Sequence, residues 1–253
     1  MVIIETFIMK YVKWILGITF IVFVGGWIVV KAMSEEQPPI NPSLEADELA
    51  NQVMDALGKD AFDTLPMISW KLGNHEYLWD KTTNQAVISW GKMKVLMNLD
   101  QVDGIAFKNG QQLDTIEDDH FIQQAWEYWC NDSFWAFAPF KMNDPGTVRT
   151  LVSNPKKGKK GLMVSYQSGG VTPGDSYLWV LDESNQIKGF QLWVKILPVK
   201  GAFASWSDWK YFDNQIKLAE TRKFSFITIP ISDFKTGNSF VDFGFSENPF
   251  RKI

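Results

Sequence analysis

Reactive side chains are scarce in this 253-residue chain, which has one cysteine, two histidines and only three arginines, Arg149, Arg222 and Arg251. A single cysteine, Cys130, excludes an intrachain disulfide, so export to an oxidising compartment would not depend on one. Its ordinary role is that of a small buried apolar residue. Two histidines leave little material for a serine or cysteine triad, which needs a nucleophile, a base and an orienting acid within hydrogen-bond reach. His75 stands among strand aromatics, and His120 follows Asp118 and Asp119 at a helix start. No G-x-S-x-G, P-loop or dinucleotide-binding glycine pattern occurs. Clustered His/Cys/carboxylate spacing is also missing, so neither a metal nor another cofactor is expected. Asp114, Glu117, Asp118 and Asp119 lie at a helix start, where the helix dipole alone accounts for acids. A glycosidase carboxylate pair leaves no mark in one sequence, so carbohydrate binding stays open.

What the chain has instead is aromatic mass. Ten of its twelve tryptophans fall between Trp70 and Trp209, most on segments that alternate with period two. Such rings carry large apolar area and a polar N–H, and they gather where apolar matter meets water. The formal charge is −4. Residues 1–32 carry Lys10, Lys13 and Lys31 against Glu5, leaving the remainder acidic and a poor general binder of nucleic acid.

Trp14 to Val30 is a run of seventeen uncharged residues, near the minimum for a membrane-spanning helix. Lys10 and Lys13 before it, with Glu35 and Glu36 after it, place the N-terminus in the cytoplasm and the rest across the membrane. A cleaved secretory signal fits the same charges, with Val30-Lys31-Ala32 as the processing region. Either reading puts residues 44–253 in the periplasm of a bacterial envelope. Residues 33–43, with Pro38, Pro39 and Pro42, read as a semi-rigid spacer.

Beyond the spacer, Ser43 is an N-cap for a helix whose Ala46, Leu49, Val53 and Leu57 form one apolar stripe. The period then changes to two. Ile68/Trp70/Leu72, His75/Tyr77/Trp79, Ala86/Ile88/Trp90 and Met93/Val95/Met97/Leu99 predict four strands joined by short turns, hence antiparallel neighbours. Thr115 with Asp118 predicts a capping box opening a second helix through Trp129. Asn131 to Phe140 is dense in Trp and Phe and reads as a lid or plug. Strand patterns resume from Thr147, and residues from about Asn248 read as a tail. The class is α+β: one curved antiparallel sheet forming an unclosed half-barrel with helices on its concave side, preceded by an N-terminal transmembrane or signal helix.

This order of elements resembles the bacterial lipoprotein carriers typified by LolA and LolB. The cues are the helix Glu45 to Leu57 leading into a strand at Met67 to Leu72, and the hairpin from Trp209 to Leu218 with its Asp213-Asn214 turn. Tyr77-Leu78-Trp79-Asp80, and Asn131-Asp132-Ser133-Phe134-Trp135 with Pro139, are similar to stretches of uncharacterised envelope proteins sharing that fold. The resemblance covers about Ser43 to Phe245 and implies a cavity for acyl chains. It departs in the anchor, since no lipidated cysteine is available, and no arginine can be matched to a cavity position.

The expected function is therefore a non-catalytic, membrane-tethered binding domain for a lipid, acyl chain or other hydrophobic molecule. Trp70, Trp79, Trp90 and Trp179 on strands, facing Trp126, Trp129, Phe134 and Trp135 on the insert, are the expected cavity lining. Any one of these rings alone would more often be core packing. The run Lys156, Lys157, Lys159 and Lys160 reads as a solvated hairpin tip, with contact to anionic lipid headgroups as the functional alternative. The competing functions are a structural module offering an aromatic surface to an envelope protein and, less favoured, a glycan or lipid hydrolase.

Overall fold

The computed structural model describes residues 19, 22, 24–153, 155, 158–168, 172–213, 215–225 and 227–253, and of residues 115–117 and 252 the backbone alone. Eight of the seventeen residues of the expected membrane segment, and Lys156 and Lys157, lie outside these residues. Residues 24–33 are helical. Among the described residues no helix is long and apolar enough to cross a membrane.

Thirteen strands form one curved, unclosed antiparallel sheet. The first half of the chain contributes β1 (Met67–Leu72), β2 (His75–Asp80), β3 (Gln85–Trp90), β4 (Met93–Asn98), β5 (Asp103–Lys108) and β6 (Gln111–Gln112). The second half contributes β7 (Thr147–Ser153), β8 (Lys160–Tyr166), β9 (Ser176–Leu181), β10 (Ile187–Trp193), β11 (Ala202–Phe212), β12 (Ile216–Lys223) and β13 (Thr228–Gly237). Spatial order is β6-β5-β4-β3-β2-β1-β13-β12-β11-β10-β9-β8-β7. Two meanders thus meet at a central seam where the first strand pairs with the last. Turn chemistry holds each meander in register. Asn109 and Gly110 both take positive φ between the paired Lys108 and Gln111, the two-residue turn whose twist matches its strands.

The seam is irregular. Ser69 pairs with Lys235 and Lys71 with Ser232, so β13 carries one extra residue there, and Asp233 adopts φ 56°. This bulge resets the alternation of β13, letting Ile231 and Phe234, three apart, both enter the main core.

That core covers one face of the sheet, called here the inner face. Its strand residues include Ile68, Trp70, Ile88, Val95, Met97, Val164, Trp179, Phe190 and Leu218, all buried. Helix α1 (Leu44–Asp55) supplies Ala46, Leu49, Ala50, Val53 and Met54, with the Ser43 hydroxyl accepting from the Ala46 amide. The chain then breaks at Gly58 and makes a short helix α2 (Lys59–Thr64) that buries Phe62. Helix α3 (Thr115–Phe137) follows edge strand β6 and precedes edge strand β7, linking the two rims of the sheet. Asn131 to Phe137 belongs to this one helix rather than to a separate plug, and a 3-10 turn, Ala138–Lys141, continues it.

Both flanks of the sheet-forming region lie against the outer face. Residues 34–42, expected as a spacer, are laid across the β7–β11 half. The Trp193 indole donates to the Glu35 carbonyl (2.9 Å), Gln37 to Ser176 (3.1 Å), and the Asn41 amide to the Thr150 hydroxyl (2.9 Å). The C-terminal residues, expected as a tail, are also packed. Phe250 is buried with Met67, Leu78, Val87 and Leu96 on the outer face of β1–β4, flanked by Phe240, Phe243 and Phe245.

Candidate functional site

A cavity of about 890 Å³ lies between the C-terminal half of α3 and the β8–β10 part of the inner face. Helical periodicity brings Trp126, Trp129, Cys130, Phe134 and Trp135 to it. Strand alternation brings Tyr166 from the end of β8, Tyr177 from β9 and Leu192 from β10, and beyond them come Val194, Leu197, Phe224 and Ile229. Ile196, 71% exposed, stands in its wall.

Three rings form a compact cluster within this wall. Phe134 lies 4.6 Å from Tyr177 and 5.4 Å, edge-on, from Tyr166, and the two tyrosines are 5.8 Å apart, also edge-on. Trp135 packs on Phe190 at 5.4 Å and Phe224 at 5.9 Å. Burial pushes both tyrosine hydroxyls up in pKa, Tyr166 helped by the nearby Asp144 charge and Tyr177 by Asp175. Both therefore stay neutral phenols at physiological pH.

The polar part of the wall is acidic. It holds Glu127, Asp144 and Asp175 against Lys141 alone, and Lys141 pairs with Asp144. Asp175 is only 4% exposed, and one of its oxygens accepts from the Lys195 amide (2.9 Å). The Lys195 ammonium turns instead to the Pro173 carbonyl. Cys130 is half-buried, and burial pushes its thiol up to about 11.

Of the expected lining, Trp126, Trp129, Phe134 and Trp135 stand in the cavity wall. Trp70, Trp79, Trp90 and Trp179 do not. Trp70 is stacked on Tyr77 (4.8 Å) with the Phe137 edge against it (4.8 Å), and Trp79 meets Trp129 edge-on at 5.4 Å. Trp90 meets Tyr128 edge-on at 5.2 Å, while Trp179 is enclosed by Phe190 and Trp206. For the first three the reason is the course of α3, whose Tyr128, Trp129 and Phe137 pack directly on them, whereas Trp179 is covered by its sheet neighbours. Trp70 borders a second cavity, about 690 Å³, on the outer face near Val241–Phe245.

Sequence reasoning missed Asp175, Cys130, Phe224 and Ile229 as lining. Tyr166 and Tyr177 did carry a signal, since each ends or opens an alternating apolar series. Asp175, two residues before Tyr177, carried none.

Away from the cavity, a buried carboxylate ties α3 to the sheet. Asp132, 2% exposed, accepts from the Tyr77 hydroxyl (2.6 Å), from His75 Nδ1 (2.7 Å) and from Asn131 (2.7 Å), while Tyr128 stacks on His75 at 4.1 Å. His75 and His120 are both outside the cavity wall. Arg222 is fully buried, 4.0 Å over the Trp206 ring, and donates to the carbonyls of Ala219 and, on α3, Ala136. Desolvation lowers its pKa to about 9. Asp118 accepts from the Ala106 amide, which fixes the start of α3 against β5. Among the described residues no group of three or more His, Cys, Asp or Glu is placed to hold a metal ion. Lys159 reaches Glu183 at 3.7 Å and Lys160 reaches Asn185 at 3.0 Å, both at an exposed hairpin tip.

No family model matches this chain, and no curated protein matches it.

Proposed function

We propose that this chain is a membrane-tethered, envelope-facing binding domain that shelters a lipid, an acyl chain or another hydrophobic molecule without covalent chemistry. The observation that carries the reading is the cavity of about 890 Å³ walled by aromatic and aliphatic side chains. Its size lies in the upper part of the range of small-molecule pockets, and such pockets are apolar with a few placed polar groups. Resemblance of the element order to the lipoprotein carriers supports the same reading, as does the apolar run from Trp14 to Val30, which supplies the tether.

Burial of each methylene contributes about 0.8 kcal/mol, so affinity should rise about fourfold per added carbon until the cavity is full. The test uses the full-length chain in an amphipathic polymer, titrated with saturated alcohols of increasing length while intrinsic tryptophan emission is followed. The expected result is a shift whose midpoint tightens with chain length, together with lipid adducts in native mass spectra of the purified protein. An adduct-free protein whose emission ignores every alcohol overturns the reading. That outcome would favour an aromatic surface for a protein partner.

A further inference from the structure

We propose that the cavity selects amphiphiles with a positively charged ammonium head, which sits against Phe134, Tyr166 and Tyr177 beside the carboxylate of Asp175. The inference rests on the binding role proposed above and specifies its ligand class.

Asp175 and Tyr177 are two residues apart where the chain enters β9, so alternation sends both side chains to the same face, and both stand in the cavity wall. Tyr177, Phe134 and Tyr166 present mutually tilted rings within 6 Å of one another. Aromatic rings and a carboxylate in one cavity wall attract a cation, because ring quadrupoles and the formal charge act in the same direction.

Two lysines lie nearby, and neither ammonium is directed at Asp175. Lys141 pairs with Asp144, and the Lys195 ammonium bonds the Pro173 carbonyl. No lysine or arginine lies within ion-pair distance of the Asp175 carboxylate among the described residues. With three carboxylates against one lysine among its own residues, the wall carries a net negative charge that favours an ammonium over a carboxylate or phosphate head. Leu192, Val194 and Leu197 leave an apolar path for the chain of the same molecule.

Cys130 is the sole cysteine and stands in the cavity wall, so it reports occupancy in the full-length chain. Its modification by methyl methanethiosulfonate at pH 8.5 would be followed by mass in the presence of decylammonium, decan-1-ol or decanoate, which share one chain and differ in the head. Slowing in the order decylammonium, decanol, decanoate is expected, with half-protection by the ammonium at a concentration about tenfold lower than by the alcohol. Asp175→Asn keeps an acceptor for the Lys195 amide and should erase most of that advantage; Phe134→Leu should reduce it. Equal protection by all three, or best protection by decanoate, overturns the head-group assignment while leaving the hydrophobic cavity intact. Protection by none overturns both.

Discussion

Asp132→Ala tests what holds α3 across the sheet. The wild-type carboxylate is 2% exposed and takes three hydrogen bonds, two from β2 side chains and one from Asn131 on its own helix. Asn131 is exposed and can turn to water. The Tyr77 hydroxyl cannot, because its ring is buried under Trp70 and near Trp129, and His75 is half-covered by Tyr128. Truncation therefore strands one donor fully and one partly. A hydrogen bond to a charged group contributes about 1.5–3 kcal/mol, and a donor left dry costs about 1–3 kcal/mol. The expected loss is about 3–5 kcal/mol, in line with breaking other buried charged pairs. At about 2–4 °C per kcal/mol for a domain of this size, that lowers Tm by about 6–20 °C. Urea titrations followed by tryptophan emission would measure it. Tyr77→Phe alone should cost about 1–2 kcal/mol, and in the double-mutant cycle with Asp132→Ala the two losses should fall short of additivity by about 1 kcal/mol or more. A loss below 1 kcal/mol for Asp132→Ala, or strict additivity, refutes this account of how α3 is fastened.

Cys130, with its thiol pushed up to about 11, should react slowly at neutral pH, gain about tenfold in alkylation rate per pH unit up to about pH 10 and level off above 11; a plateau near 8.5 would contradict its burial. Tyr77, Tyr166 and Tyr177 are all held protonated, chiefly by desolvation. Their folded pKa values exceed the unfolded value near 10, so their stabilising contribution is complete below pH 10 and is lost as pH rises above it. Absorbance at 295 nm should show these three of the six tyrosines ionising only as the protein unfolds, and six ordinary titrations would refute it.

The strands that were legible from sequence are those with unbroken alternation. Ile68/Trp70, Ala86/Ile88 and Val95/Met97 keep strict period two, and each lies in a strand joined by a tight turn. β13 was not legible, because the bulge at Asp233 puts Ile231 and Phe234 on one face at an odd spacing. The aromatic stretch after Asn131 hid its helical nature because much of its circumference is enclosed, by sheet, cavity and the Phe62 region, so no polar face marks the period. Residues 34–42 looked solvated because their partners, Thr150, Ser176 and Trp193, are over a hundred residues away. The half of the cavity lining that was anticipated came from α3. The strand tryptophans are taken up in packing, Trp70, Trp79 and Trp90 against rings of α3 and Trp179 against Phe190 and Trp206, and alternation in the sequence does not distinguish a packed ring from one left beside a cavity.

The pairing of the first strand with the last has a consequence for how the molecule is made. Met67 cannot meet Gly237 until all of the chain between them has been synthesised. Until then the meander β1–β6 can form by local turns, but β1 remains an open edge with unmet amide and carbonyl groups, the kind of edge that recruits other strands. Closing so long a loop is entropically slow, so the final docking of β13 is expected to limit the folding rate. Truncation of even the last strand would leave two separate sheets, each with a sticky border at what is, in the finished protein, its middle. The centre of the native sheet is thus the last part to exist, and a nascent chain halted before Thr228 is the form most prone to aggregate.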